Sequence, residues 1–189
     1  MNNHYDSATH SYYIDGVLVP SATQILNICG VVNNRFFTEG SRARGTAVHS
    51  CCHFFAEGDL DWSSVDERIV GYVRAYEAAI KTLDFKPTLC EIPQFSIGLQ
   101  YGVTPDQVDE SKKIIVELKT GYMRPWTSIQ TALQAMALWP TDYSNSQRIG
   151  VQLGLDRKFR IEYFDEPSDF EVAISMIRVA HWSLRKKIK

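Results

Sequence analysis

The sequence predicts one α/β domain, residues 1–189, with a mixed central sheet of about five strands flanked by helices and an N-terminal hairpin ahead of it. Three observations point there. The chain has 189 residues, little more than one ordinary domain, yet enough to bury roughly 70% of the surface of the unfolded chain. Its composition is globular, 44% hydrophobic, 22% charged and 12% aromatic, which argues against disorder and coiled coil. Its periodicities run hairpin, helices, three strands, a helix, two strands and a helix, an order that builds one sheet with helices packed on it.

The elements follow in chain order. Residues 12–19, YYIDGVLV, read as a tight hairpin turning at Asp15-Gly16. Ser21 can cap a short helix over 22–28, closed by Gly30. Residues 31–40 read as a loop, and Ser41 can cap the next helix, which stops at Gly58. Ala47, Val48, Cys51, Cys52 and Phe55 form its inward stripe, while Arg42, Gly45, His49 and His53 share another face. Ser64-Val65-Asp66-Glu67 matches a capping box ahead of a helix reaching Leu83. Segments 89–97, 100–108 and 113–119 then alternate as an antiparallel meander. Pro125 can open a helix carrying Ile129, Leu133 and Met136 on one face, ending before Pro140. Segments 149–155 and 159–164 form a hairpin. A last helix begins with the capping box Ser168-Asp169-Phe170-Glu171, buries Phe170, Ile174, Ile177 and Leu184, and ends in the basic run from Arg185.

Chemistry concentrates on the third strand of the meander. Glu117 and Lys119 point to one face and Leu118 to the other. Asp106 lies eleven residues before Glu117 on the preceding strand, so an antiparallel register can set the two carboxylates side by side. They repel unless a cation lies between them. Mg²⁺ suits such a site because it takes oxygen ligands and keeps several waters, and the Leu118 carbonyl could add a third oxygen. Lys119 would stand beside the metal-bound water. Together these groups supply what phosphodiester hydrolysis needs: a polarised phosphate, an activated water and neutralised charge. Glu-x-Lys alone is common on surface strands, but here Ile114-Ile115-Val116 runs straight into it and marks a central strand, where unpaired charge is costly.

Pro105-Asp106 … Glu117-Leu118-Lys119 resembles the motif of the PD-(D/E)XK nucleases, in particular their RecB-like and lambda-exonuclease-like branch. Gly45-Thr46-Ala47-Val48-His49 is similar to the branch's upstream helix motif, whose His is a metal ligand, and Gln130 to its Gln motif. The opening from His10 to Leu26 resembles small phage-encoded members and mitochondrial genome-maintenance exonucleases. The branch usually has a Tyr where this chain has Gln134.

The resemblance implies a restriction-endonuclease-like core and a Mg²⁺- or Mn²⁺-dependent deoxyribonuclease, an exonuclease of recombination, repair or replication. His49, Asp106, Glu117 and Leu118 would hold the metal, Lys119 would serve the water, and Gln130 would complete the site, with Glu91 as a supporting or second-metal group. Arg42, Arg44 and Gln130 would contact DNA. His53, Tyr12-Tyr13 and Phe36-Phe37 are weaker candidates, the aromatic pairs as platforms for bases or as packing. Implied partners are a single-strand annealing protein and, in some members, further copies in a ring. The alternatives are a structure- or sequence-specific endonuclease and a non-catalytic DNA-binding module on the same fold.

The net charge of −2 gives no global basic field that would advertise nucleic acid, though a bound divalent metal can offset the repulsion of an acidic partner locally. No membrane span or secretory signal is expected. Cys29, Cys51, Cys52 and Cys90 fit no metal motif and are expected as reduced, mostly buried thiols in a cytoplasmic protein.

Overall fold

A computed structural model of the chain describes residues 2–32 and 38–187. It opens with β1 (Asn3–Asp6), β2 (Ser11–Ile14) and β3 (Val17–Val19), a three-stranded antiparallel sheet. The expected hairpin is β2–β3. Asp15 and Gly16 adopt φ of 49° and 79°, the paired left-handed conformation a two-residue turn of this kind needs. β1 adds a strand the hairpin reading lacked.

Helix α1 (Ala22–Ile28) is capped as expected, with the Ser21 amide donating to Gln24 Oε1 at 2.9 Å and the Gln24 amide to Ser21 Oγ at 3.1 Å. Helix α2 (Glu39–Glu57) starts earlier than expected because Thr38, not Ser41, caps it. Val48 and Cys52 are its buried residues, while Ala47, expected inside, is exposed. The capping box at Ser64 does not form. Asp61 caps a 3₁₀ turn at Trp62–Ser64 and Asp66 binds both the amide and the guanidinium of Arg68, so local side-chain bonds hold the chain out of helix until α3 (Val70–Leu83).

The meander is also broken. Segment 89–97 becomes β4 (Leu89–Cys90) and β5 (Gln94–Ser96), and segment 100–108 becomes β6 (Tyr101–Val103) and β7 (Gln107–Asp109). Glu91 in a left-handed conformation (φ 52°), followed by Pro93, makes the first break, and Thr104-Pro105 the second. β5 and β6 therefore form a separate ribbon, while β4 and β7 join β8 (Ile114–Lys119).

Helix α4 (Trp126–Leu138) crosses from β8 to its parallel neighbour β9 (Gln147–Leu153), which turns back into β10 (Phe159–Tyr163). Helix α5 (Ser168–Lys186) closes the described chain. Pro167 occupies its cap position, so the expected Ser168 box is absent and Glu166 Oε1 takes the Ser168 amide instead. Ser183 is buried near the end of the stripe and Leu184 is exposed.

The main sheet has the order β10-β9-β8-β7-β4, so β8 is its middle strand, as its apolar run predicts. Ile114, Val116 and Leu118 pack toward α2 and α3, while Ile115 packs with α1, α4 and α5. Glu117 has the parity of Ile115 and so faces α4. This is the mixed sheet flanked by helices that the sequence predicts. The N-terminal sheet docks on β6: a Cβ on Gly102 would lie 2.0 Å from the Tyr12 ring, and Tyr12 bonds Thr104 at 2.5 Å.

Candidate active site

Asp106 immediately precedes β7. Since Gln107 pairs with Val116, Asp106 falls across from Glu117, the juxtaposition the register predicts. Asp106 Oδ2 accepts the Leu118 amide at 2.7 Å, and the Glu91 amide donates to the Asp106 carbonyl at 3.0 Å. Those two bonds fix the strand break against β8 and hold Glu91, itself exposed, at the rim beside His49. From α2, His49 Nδ1 lies 3.4 Å from Asp106 Oδ1 and 3.9 Å from Glu91 Oε1.

Glu117 is 2% exposed. Its Oε1 accepts Lys119 Nζ at 2.7 Å and Gln130 Nε2 at 2.8 Å, and its Oε2 accepts Gln134 Nε2 at 2.9 Å. Lys119 Nζ also reaches Gln130 Oε1 at 3.3 Å. Gln134, where the branch usually has a Tyr, thus meets Glu117 from α4, a contact that the sequence reading does not anticipate.

The charges shape one another. Asp106 raises the His49 imidazole to about 9. Burial pushes the Asp106 carboxyl up, but His49, Lys119 and the Leu118 amide outweigh it and hold it below its ordinary value. Burial and then the Asp106 charge raise Glu117. Burial works against the Lys119 ammonium, yet Glu117 and Asp106 overcome it and raise Lys119. At neutral pH Lys119 is therefore a fixed cation.

One ligand atom from each of His49, Glu91 and Asp106 lies within 4.8 Å of the others. Donors about 2.1 Å from an octahedral cation are at most about 4.2 Å apart, so small side-chain rotations would close them on an ion. Imidazole plus carboxylates suits a divalent cation of the Mg²⁺ or Mn²⁺ type. This compact donor group contains Glu91, expected as a supporting or second-metal group, and not Glu117, which stands beside it wrapped by its three donors. Leu118 lines the same cavity.

His49, Glu91, Asp106, Lys119 and Gln130 line a cavity of about 1610 Å³, with Glu117 buried behind it. The N-terminal sheet forms one wall through Tyr5, His10 and Tyr12, and α2 another through Arg42 and Arg44. Neither arginine is in an ion pair among the described residues; Arg44 lies 5.8 Å over the Tyr72 ring and its buried Nε has no partner. Tyr122 and Arg124, after β8, line it too. His53 lies between Glu57, 3.0 Å from its Nε2, and Glu91, whose Oε2 is 3.9 Å from its Nδ1. Tyr12 packs in a core and Tyr13 stacks on His4; Phe36 and Phe37 lie outside the described residues. All four cysteines are free, but only Cys52 is buried; Cys29, Cys51 and Cys90 are half-buried. No helix among the described residues is long and apolar enough to cross a membrane.

No family model matches the chain, and no curated protein does. Among solved structures it is similar to a protein of Eubacterium rectale named as a putative exonuclease, with 13% identity over 87% of this chain and 82% of that one and a TM-score of 0.52. It is also similar to LHK-Exo, solved in complex with dAMP, with 12% identity over 90% and 89% of the chains and a TM-score of 0.42. At such identity the likeness to the first is one of fold: the mixed sheet and its flanking helices.

Proposed function

We propose that this chain is a metal-dependent deoxyribonuclease of the PD-(D/E)XK superfamily, in its RecB-like and lambda-exonuclease-like branch, acting as an exonuclease. The observation that carries the reading is the meeting of Asp106 and Glu117 across two paired strands, with His49, Glu91 and Lys119 beside them on a cavity open to the arginines of α2.

In this reading His49, Glu91 and Asp106 hold a cation, with Glu117 and the Leu118 carbonyl completing its surroundings or serving a second ion. A bound Mg²⁺ or Mn²⁺ would polarise the scissile phosphate and lower the pKa of a bound water. Glu117 and Asp106 favour the charged form of Lys119 in the metal-free site, and as an ammonium it would donate to the water or to a phosphate oxygen. Gln130 bridges Lys119 and Glu117 and keeps both in place. Arg42 and Arg44 hold backbone phosphates, which positions the strand without reading its bases.

The test is degradation of end-labelled linear DNA and of closed circular DNA with Mg²⁺, with EDTA, and by Lys119→Ala. Loss of linear DNA only, abolished by EDTA and by the substitution, is expected. Cutting of the closed circle would make the enzyme an endonuclease, and equal results in all arms would end the nuclease reading. A cytoplasmic setting, self-assembly and a single-strand annealing partner in recombination belong to the same proposal. Sedimentation and co-purification check the last two.

A further inference from the structure

The geometry points to Gln134 as a positioning residue that fixes the Glu117 carboxylate through its Oε2 for a cation beside it, a role that rests on the nuclease reading above. Gln130 and Gln134 stand one turn apart on α4 and face the same strand. Gln130 bonds Glu117 Oε1 at 2.8 Å and Gln134 bonds Oε2 at 2.9 Å. Each oxygen of the carboxylate thus has its own amide. With Lys119 also on Oε1, Gln134 supplies the Oε2 contact that stops the group from rotating about its last bond.

A second observation argues that packing does not explain this glutamine. Gln134 is 1% exposed, and its Oε1 is buried with no partner among the described residues. Buried acceptors are normally satisfied. An aliphatic side chain at this buried position would avoid that loss. Turning the amide over would bring its oxygen against the Glu117 carboxylate, so the anion dictates the orientation and leaves the acceptor unmet. Gln134 also lines the cavity that holds His49, Asp106 and Lys119.

The consequence is for metal affinity. Glu117 lies across from Asp106, and two neighbouring carboxylates turn away from each other when nothing restrains them. Hydrogen bonds behind a ligating carboxylate hold its angle, and removing one typically costs tenfold to a hundredfold in metal affinity or activity. Gln134→Met keeps the length of the side chain and removes both the donor and the unmet acceptor.

The experiment measures Mn²⁺ binding by calorimetry, thermal unfolding without metal, and kcat and KM on labelled DNA, for the wild type, Gln134→Met and Gln134→Leu. The expected result is an unfolding temperature within a few degrees of the wild type, since the unmet acceptor is lost together with the donor, a Mn²⁺ Kd weaker by about tenfold or more, and a fall in kcat with KM for DNA unchanged. Leucine, shorter and equally apolar, gives the same result should methionine not fit. Unchanged Mn²⁺ affinity and kcat in a folded variant would overturn the role and leave the nuclease reading standing. A wild type that binds no Mn²⁺ would overturn both.

Discussion

Lys119→Met removes the one ammonium bonded to Glu117 while keeping the aliphatic stem. Lys119 Nζ is 2.7 Å from a carboxylate whose side chain is 3% exposed, and its own side chain is 21% exposed, so solvent screens the pair little. Breaking such a pair costs about 3–5 kcal/mol because the surviving charge is buried alone. Gln130 and Gln134 still donate to Glu117, which sets the lower end, about 3 kcal/mol. For a chain of this size that lowers the unfolding temperature by roughly 6–12 °C. A cation at the site would return positive charge, so saturating Mn²⁺ should raise the variant's unfolding temperature more than the wild type's. Cleavage should still fall about a hundredfold or more, because the ion does not supply the positioned donor. Differential scanning fluorimetry with and without Mn²⁺, beside the DNA assay, measures all three effects. A metal-free unfolding temperature within about 2 °C of the wild type, or an identical Mn²⁺ increment, would refute the charge balance drawn here.

The remaining predictions concern protons and packing. His49 is raised to about 9 from an ordinary 6.5. Its stabilisation of the metal-free fold is therefore full below about 6.5 and lost as pH rises through about 9, roughly 3 kcal/mol in all. A ligating imidazole must be neutral, so Mn²⁺ binding should release close to one proton at pH 7 and tighten as pH rises toward 9, which calorimetry in buffers of different ionisation heat detects. Gly102→Ala drives a Cβ into the Tyr12 ring and should cost about 1–3 kcal/mol in denaturant unfolding; a neutral result would mean the N-terminal sheet is not seated there. Gly45→Ala meets only Thr120 Oγ1 at an ordinary 3.8 Å. It should stabilise α2 by about 0.5–1 kcal/mol without weakening Mn²⁺ binding.

Part of the candidate site was legible because Glu117, Lys119, His49 and Gln130 lie on regular elements. The apolar run before Glu117 marks a buried middle strand, and period-two alternation puts Glu117 and Lys119 together. The spacing of Asp106 gives the register. What the sequence hid was irregular backbone. Left-handed Glu91 and the Thr104-Pro105 step split two expected strands, so Asp106 sits just before a strand instead of within one. That split turns Glu91 toward His49, a placement no periodicity encodes. Helix starts were misread where Ser64 and Ser168 match capping boxes but neighbouring Asp66 and Pro167 decide the backbone. Gln134 was hidden for another reason. Its partner lies seventeen residues away on β8, and only the packing of α4 across the sheet brings them together.

The central claim is that a divalent cation binds among His49, Glu91, Asp106 and Glu117. Anomalous scattering from a crystal soaked in Mn²⁺ tests it most directly. The account predicts a peak about 2.1–2.2 Å from His49 Nδ1 and from carboxylate oxygens of Asp106 and Glu91, with Glu117 beside it. A peak elsewhere, or none at saturating Mn²⁺, would contradict it.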